Sequence, residues 1–155
     1  MTLIQELMNQ SLNGASLSEG LIKRFAPAEI REAIQSLVAT EQLELANALG
    51  DAGLSLYPHD EEILAITSLL AIVNQDWSLA IELMQELVEI QSGNVPAFTY
   101  VMYVRALRCN LEPARAFELV NEGLAKYPGH LELMAEKLSL EDLGSSLLMP
   151  LGAQH

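Results

Sequence analysis

The sequence is short of cysteine, of aromatic side chains and of positive charge. One Cys in 155 residues excludes a disulfide framework and any zinc module built from several thiolates. Eight Lys and Arg against 21 Asp and Glu leave a formal net charge of -13. A chain this acidic lacks the basic face that nucleic acid or an anionic membrane requires. Met1 to Leu7 carries no basic segment and no clean apolar stretch follows it, so no signal peptide is expected. The most apolar run, Ile63 to Val73, is about half the ~20 residues of a membrane-spanning helix. These absences predict a soluble, cytoplasmic chain with neither nucleic acid nor membrane as its partner. What is present is aliphatic: half the residues are hydrophobic and only 5% are aromatic. That is too apolar for a disordered acidic tail. Richness in Leu, Ala, Glu and Gln, with few β-branched residues, predicts an all-α chain large enough to build a core.

The helices follow a period. Three segments of similar texture, around Glu44-Leu45-Ala46, Leu79-Ala80-Ile81 and Arg115-Ala116-Phe117, place Ala46, Ala80 and Ala116 at intervals of 34 and 36. Twelve residues after each alanine stands a turn, at Pro58, Ser92 and Pro128. Upstream of each lies a second helix-length apolar segment: Ile30 to Ala39, Ile63 to Val73 and Phe98 to Leu107. Short polar links join the members of each pair. The link Cys109 to Glu112 reads as about two residues longer than the others, which would account for the 36-residue interval. Pro113 then suits a first helical turn. The unit is helix, tight turn, helix, turn, repeated three times.

Over roughly Pro27 to Pro128 the chain resembles the tetratricopeptide repeat family. The second repeat carries the resemblance best, with Trp77 three residues before Ala80 and with Met84 and Leu87 beyond it. The array is degenerate: Leu64 replaces the usual Trp, Ala71 the usual Tyr, and Ile34 and Met102 stand where Gly is preferred. The resemblance implies an α-solenoid of three helix-turn-helix repeats over 27–130. The alternative is an irregular helical bundle with accidental spacing. Residues 1–26 read as N-terminal accessory helices, with Leu3, Ile4, Leu7, Met8 and Leu12 on one face of the first. Residues 131–143 read as a capping helix. Residues 144–155 read as a tail broken by Gly and Pro, either disordered or folded back.

By family geometry, the first helix of each pair lines a concave groove. The resemblance therefore implies a partner-binding face from Arg31, Gln35 and Val38 in the first repeat. It adds Ala65, Leu69, Ile72 and Val73 in the second, and Thr99, Tyr103, Ala106 and Leu107 in the third. Such an apolar stripe would dock an amphipathic helix or an extended peptide. Alternatively the N-terminal helix, the tail or a second copy in a homodimer would cover it. The clamp by which some family members hold acidic chaperone termini is absent, because Ile66, Pro96 and Tyr100 occupy its polar or basic positions. No Lys or Arg occurs between Glu32 and Val104, so a client with basic or neutral flanks fits better.

No catalytic constellation is legible. His59 and His130 fall in equivalent turns, and Gly50 and Gly53 lack the Lys of a phosphate loop. No metal site and no cofactor are expected. The chain reads as a non-catalytic protein-binding adaptor. In length, acidity and N-terminal helix it is similar to small chaperones of type III secretion, which implies holding a secreted client. The other reading is a constitutive scaffold or regulatory subunit of a pilus or envelope assembly.

Overall fold

The computed structural model describes residues 22–148, with side chains up to residue 144. The expected N-terminal helix over 2–13 and the residues after Leu148 lie outside the described residues. All the described secondary structure is helical. The chain divides between Asn74 and Gln75 into two compact units.

Unit 1 contains α1 (Pro27–Ala39), α2 (Leu43–Leu56) and α3 (Glu61–Val73). Helices α1 and α3 start for local reasons. Pro27 occupies the first turn of α1, where a missing N–H costs nothing, and the Glu29 carboxylate accepts from the Ala26 N–H at 3.0 Å. Asp60 caps α3 by accepting from the Glu62 and Ile63 N–H groups at 2.9 and 3.1 Å. The core is aliphatic: Ile22, Ile30, Ile34 and Leu37 meet Ala46, Leu49, Ile63 and Leu70. Within α3 the buried hydroxyls of Thr67 and Ser68 return to the carbonyls of Ile63 and Leu64, both at 2.6 Å, so neither is left unsatisfied. The Tyr57 hydroxyl donates to the Phe25 carbonyl at 3.0 Å and latches the end of α2 to the approach to α1.

Unit 2 contains α4 (Trp77–Ile90), α5 (Ala97–Cys109), α6 (Pro113–Lys126) and α7 (Leu131–Leu148). The same latch recurs: the Tyr127 hydroxyl donates to the Val95 carbonyl at 2.6 Å. The Tyr127 ring also stands edge-on to Tyr100, with centroids 6.3 Å apart. Gly93 and Gly129 supply positive φ in the turns before α5 and α7.

The period is visible in the backbone. First helices start at 27, 61, 97 and 131, and second helices at 43, 77 and 113. The link inside each pair is closed identically, with Glu41, Gln75 and Leu111 all at φ 59°. In the first and third links the helix end is sealed by a long return bond, Gln42 N–H to Leu37 C=O at 2.8 Å and Glu112 N–H to Leu107 C=O at 2.9 Å.

Two expectations are corrected. The intervals show that all three links inside pairs span three residues, so the two extra residues do not lie in Cys109–Glu112. They lie between Ile90 and Ala97, where the link is longer than its counterparts between Leu56 and Glu61 and between Lys126 and Leu131. The capping helix does not stop at 143. Helix α7 runs on to Leu148, because a single Gly144 costs about 1 kcal/mol of helix propensity and does not terminate a helix by itself.

Candidate protein-docking surfaces

In unit 1, α1 and α3 leave an apolar recess of about 130 Å³ lined by Ile34, Val38, Ile66, Leu69, Leu70 and Val73, with Gln35 among them. Four residues expected on the partner-binding face, Gln35, Val38, Leu69 and Val73, are thus brought together. Ala65 and Ile72 are half-buried and do not line the recess. Arg31, one turn before Gln35, is engaged: its Nε donates to Glu62 Oε1 at 3.1 Å, and its Nη2 lies 4.0 Å from Glu32 Oε1. That cation is neutralised locally and is a poor clamp for an acidic client. The volume suits one aliphatic or aromatic side chain and falls short of the ~300 Å³ of ordinary small-molecule sites.

The third-repeat candidates lie elsewhere. Thr99, Tyr103, Ala106 and Leu107 are all buried within unit 2. The misplaced two-residue insertion explains this. Counted from the true start of α5, Tyr103 occupies the position of Thr67, and Leu107 that of Ala71, both buried in α3. The position where Gly is preferred in the family is likewise filled by Val104, the counterpart of Ile34 and Ser68, and not by Met102. Tyr103 accepts from Arg115 of α6 at 3.3 Å, which ties its tip to the neighbouring helix. Burial raises its phenol pKa, against the lowering influence of Arg115.

The positions of α5 that do correspond to Leu69 and Ile72 are Arg105 and Arg108. Both arginines converge on Glu136 of α7, a buried carboxylate that accepts from each Nε at 2.9 Å. Burial works against the Arg108 cation, but Glu136 prevails and raises its pKa. Where unit 1 presents an apolar recess, unit 2 therefore presents a charge cluster already occupied by its own helix. This cluster was not foreseen. Equal three-residue links were the signal that would have found it.

A second depression of about 210 Å³ lies between α5 and α6, lined by Tyr103, Leu107, Arg115, Glu118, Leu119 and Glu122. It is polar and internally paired: Arg115 donates to Glu112 at 2.8 Å, and the Asn110 and Arg115 bonds hold the Glu112 carboxyl below its usual pKa. Tyr100 donates to Glu122 at 3.0 Å. Burial, and then the Glu122 carboxylate, push its pKa up to about 12.

Among the described residues no group of three or more His, Cys, Asp or Glu side chains could hold a metal ion. No described helix is long and apolar enough to cross a membrane.

No family model and no curated protein matches the chain. Solved structures do. A structure of MamA from MSR-1 superposes with a TM-score of 0.69 at 15% identity, covering 92% of this chain and 83% of that one. MamA from AMB-1 gives 0.67 at 16%, covering 91% and 84%. The assembly chaperone of RpL4, Acl4, gives 0.60 at 17%, covering 96% of this chain and 59% of that one. At these identities the likeness establishes the fold, an all-α array of tetratricopeptide-like repeats.

Proposed function

We propose that the chain is a non-catalytic adaptor that anchors an apolar side chain from a helix or extended segment of another protein in the unit 1 recess. The observation that carries this is the recess itself: a cavity of single-side-chain size, aliphatic on its walls, with its nearest cation already paired to Glu62. Removing about 100 Å² of apolar surface from water there would contribute roughly 2.5 kcal/mol, enough for an anchor though not for a whole interface. The acidic surroundings favour a segment with neutral or basic flanks.

Two narrower readings divide this proposal. In one, the chain is a holding chaperone of the type III secretion kind, which rests on the resemblance in length, acidity and repeat number. The fold likeness to an assembly chaperone fits a holding role of some kind. In the other, it is a permanent subunit of a larger assembly.

Peptides selected on the full chain from a random helical library test the proposal. Leu69→Glu and Val73→Glu should each weaken the selected peptides about tenfold or more while helicity stays native. Val73 is exposed, so its variant keeps the test valid if Leu69→Glu proves unstable. Undiminished binding by a natively helical Val73→Glu protein would refute the recess as the site.

A further inference from the structure

Helix α7 starts 34 residues after α5, as α3 starts 34 after α1. It stands where the first helix of another repeat belongs. Its fourth and eighth residues, Met134 and Leu138, are 45% and 63% exposed. In the three preceding first helices these positions are buried: Ile30, Leu64 and Tyr100 at the fourth, Ile34, Ser68 and Val104 at the eighth. What covers the fourth position is visible in both units. A Cβ built on Gly53 of α2 would stand 3.5 Å from Ile30, and one on Gly123 of α6 would stand 3.0 Å from Tyr100. In each case the second helix of the pair lies over the first. Met134 and Leu138 have no such helix over them among the described residues, and Leu131, 80% exposed, extends the stripe by a turn.

The eleventh position completes the picture. Leu37, Ala71 and Leu107 are buried there, whereas α7 carries an exposed Glu141, followed by Asp142. The one cation of α7, Lys137, is turned aside, with its Nζ 5.7 Å from the Phe117 ring centroid.

We propose that α7 stands as the first helix of a repeat whose second-helix position is open among the described residues, and that a basic amphipathic helix from a partner protein docks there over Leu131, Met134 and Leu138. The second helices of the intact pairs are 14 residues long and run back along the first, so the partner's first turns face Glu141. Lysine or arginine in those turns would meet Glu141 and Asp142, and the positive end of the partner's helix dipole would point the same way. A second copy of this chain is a poor occupant. Antiparallel α7 helices would bring Glu132 of each toward Glu141 of the other, with no cation on either stripe.

Two dye-labelled 14-residue peptides test this with the full chain, both keeping the buried pattern of α6. One carries lysines and the other glutamates at the exposed positions of its first two turns. The lysine peptide should bind about tenfold more tightly at low salt, Leu138→Ser should weaken it by about tenfold at unchanged melting temperature, and Glu141→Lys should reverse the preference. Equal binding of both peptides, or indifference to Leu138→Ser, overturns the proposal. A Leu138→Ser variant that melts several degrees lower without peptide overturns it too, since the chain would then cover its own stripe. So does a dimer in sedimentation that Leu138→Ser dissociates. Leu69→Glu in unit 1 should leave lysine-peptide binding unchanged, which keeps a failure here distinct from a failure of the recess.

Discussion

Units 1 and 2 are built from the same helix pair and the same tyrosine latch, but they finish the first-helix face differently. Unit 1 has Gln35 and Leu69 at corresponding positions of α1 and α3, beside an apolar recess and a half-exposed Arg31–Glu62 pair. Unit 2 has Arg105 at that position of α5, and α7 delivers Glu136 to it and to Arg108. A face that is open and aliphatic in one unit is charged and filled in the other. The repeat thus dictates which helix covers which, while a few side chains decide whether the resulting surface is available to a partner.

The two units differ most in energetic terms at Glu136. Its carboxylate is buried with two guanidinium groups that are themselves only partly shielded. Glu136→Ala would leave both cations without their acceptor, and removing one side of a buried pair costs about 3 kcal/mol at the lower end of its range. The melting temperature should fall by roughly 6–12 °C. Glu62→Ala, which breaks the more exposed pair of unit 1, should cost no more than about 1 kcal/mol. Similar losses for the two variants would show that the cluster in unit 2 is no more than a surface bridge.

Alkaline pH separates the units next. Tyr100 takes the position held by Ile30 in unit 1, so only unit 2 has a titratable group there. Its pKa rises from 10.0 to about 12 on folding. Below pH 10 both folded and unfolded chains hold the proton, and the stabilising contribution is whole. Between pH 10 and 12 the unfolded chain releases it first, so stability falls as pH rises. Thermal melts at stepped pH should show this slope in the parent and a shallower one in Tyr100→Phe. Parallel slopes would refute the shift.

Two equivalent glycines should respond with opposite sign. A Cβ at Gly123 would meet Tyr100 Cγ at 3.0 Å and Cβ at 3.2 Å, at the root of a fully buried ring that cannot swing away. A Cβ at Gly53 would meet Ile30 and Ile63 at an ordinary 3.5 Å. Gly123→Ala should therefore destabilise by about 1–2 kcal/mol even after the helix-propensity gain. Gly53→Ala should stabilise by about 0.5–1 kcal/mol. Chemical denaturation of the two variants side by side measures the difference.

Much of this architecture was legible. The alanines at 46, 80 and 116 are all fully buried in second helices, as their recurrence implied. In α1 and α3, which share an uninterrupted 34-residue register, the spacing grouped Gln35, Val38, Leu69 and Val73, which do line one recess, together with Ala65 and Ile72, which do not. What failed was α5. A two-residue insertion leaves the same overall interval whether it lies before or after a helix, and spacing between the alanines cannot tell the two apart. The error shifted Thr99, Tyr103, Ala106 and Leu107 onto a buried face and hid Arg105 and Arg108. The Glu136 cluster was beyond reach for a different reason: it joins residues about 30 positions apart, and no local pattern marks an acid on a capping helix as buried. The exposure of Met134 and Leu138 was not legible either, because apolar spacing in a last helix does not tell whether a further helix covers those positions.

The smallest effect concerns the turns that both units share. Glu41 in unit 1 and Leu111 in unit 2 each hold φ 59° without being glycine. A left-handed conformation costs a side-chain-bearing residue roughly 1–2 kcal/mol, whereas glycine adopts it freely and loses more backbone entropy on folding. The two terms leave a net gain of about 0.5 kcal/mol for glycine. Leu111 is 77% exposed, so its side chain has little packing to lose. Glu41→Gly and Leu111→Gly should therefore each raise the melting temperature by about 1–2 °C, and the double variant should gain the sum, because the sites lie in different units. A loss at position 111 with a gain at 41 would mean that the exposed leucine is held by a contact the turn geometry does not explain.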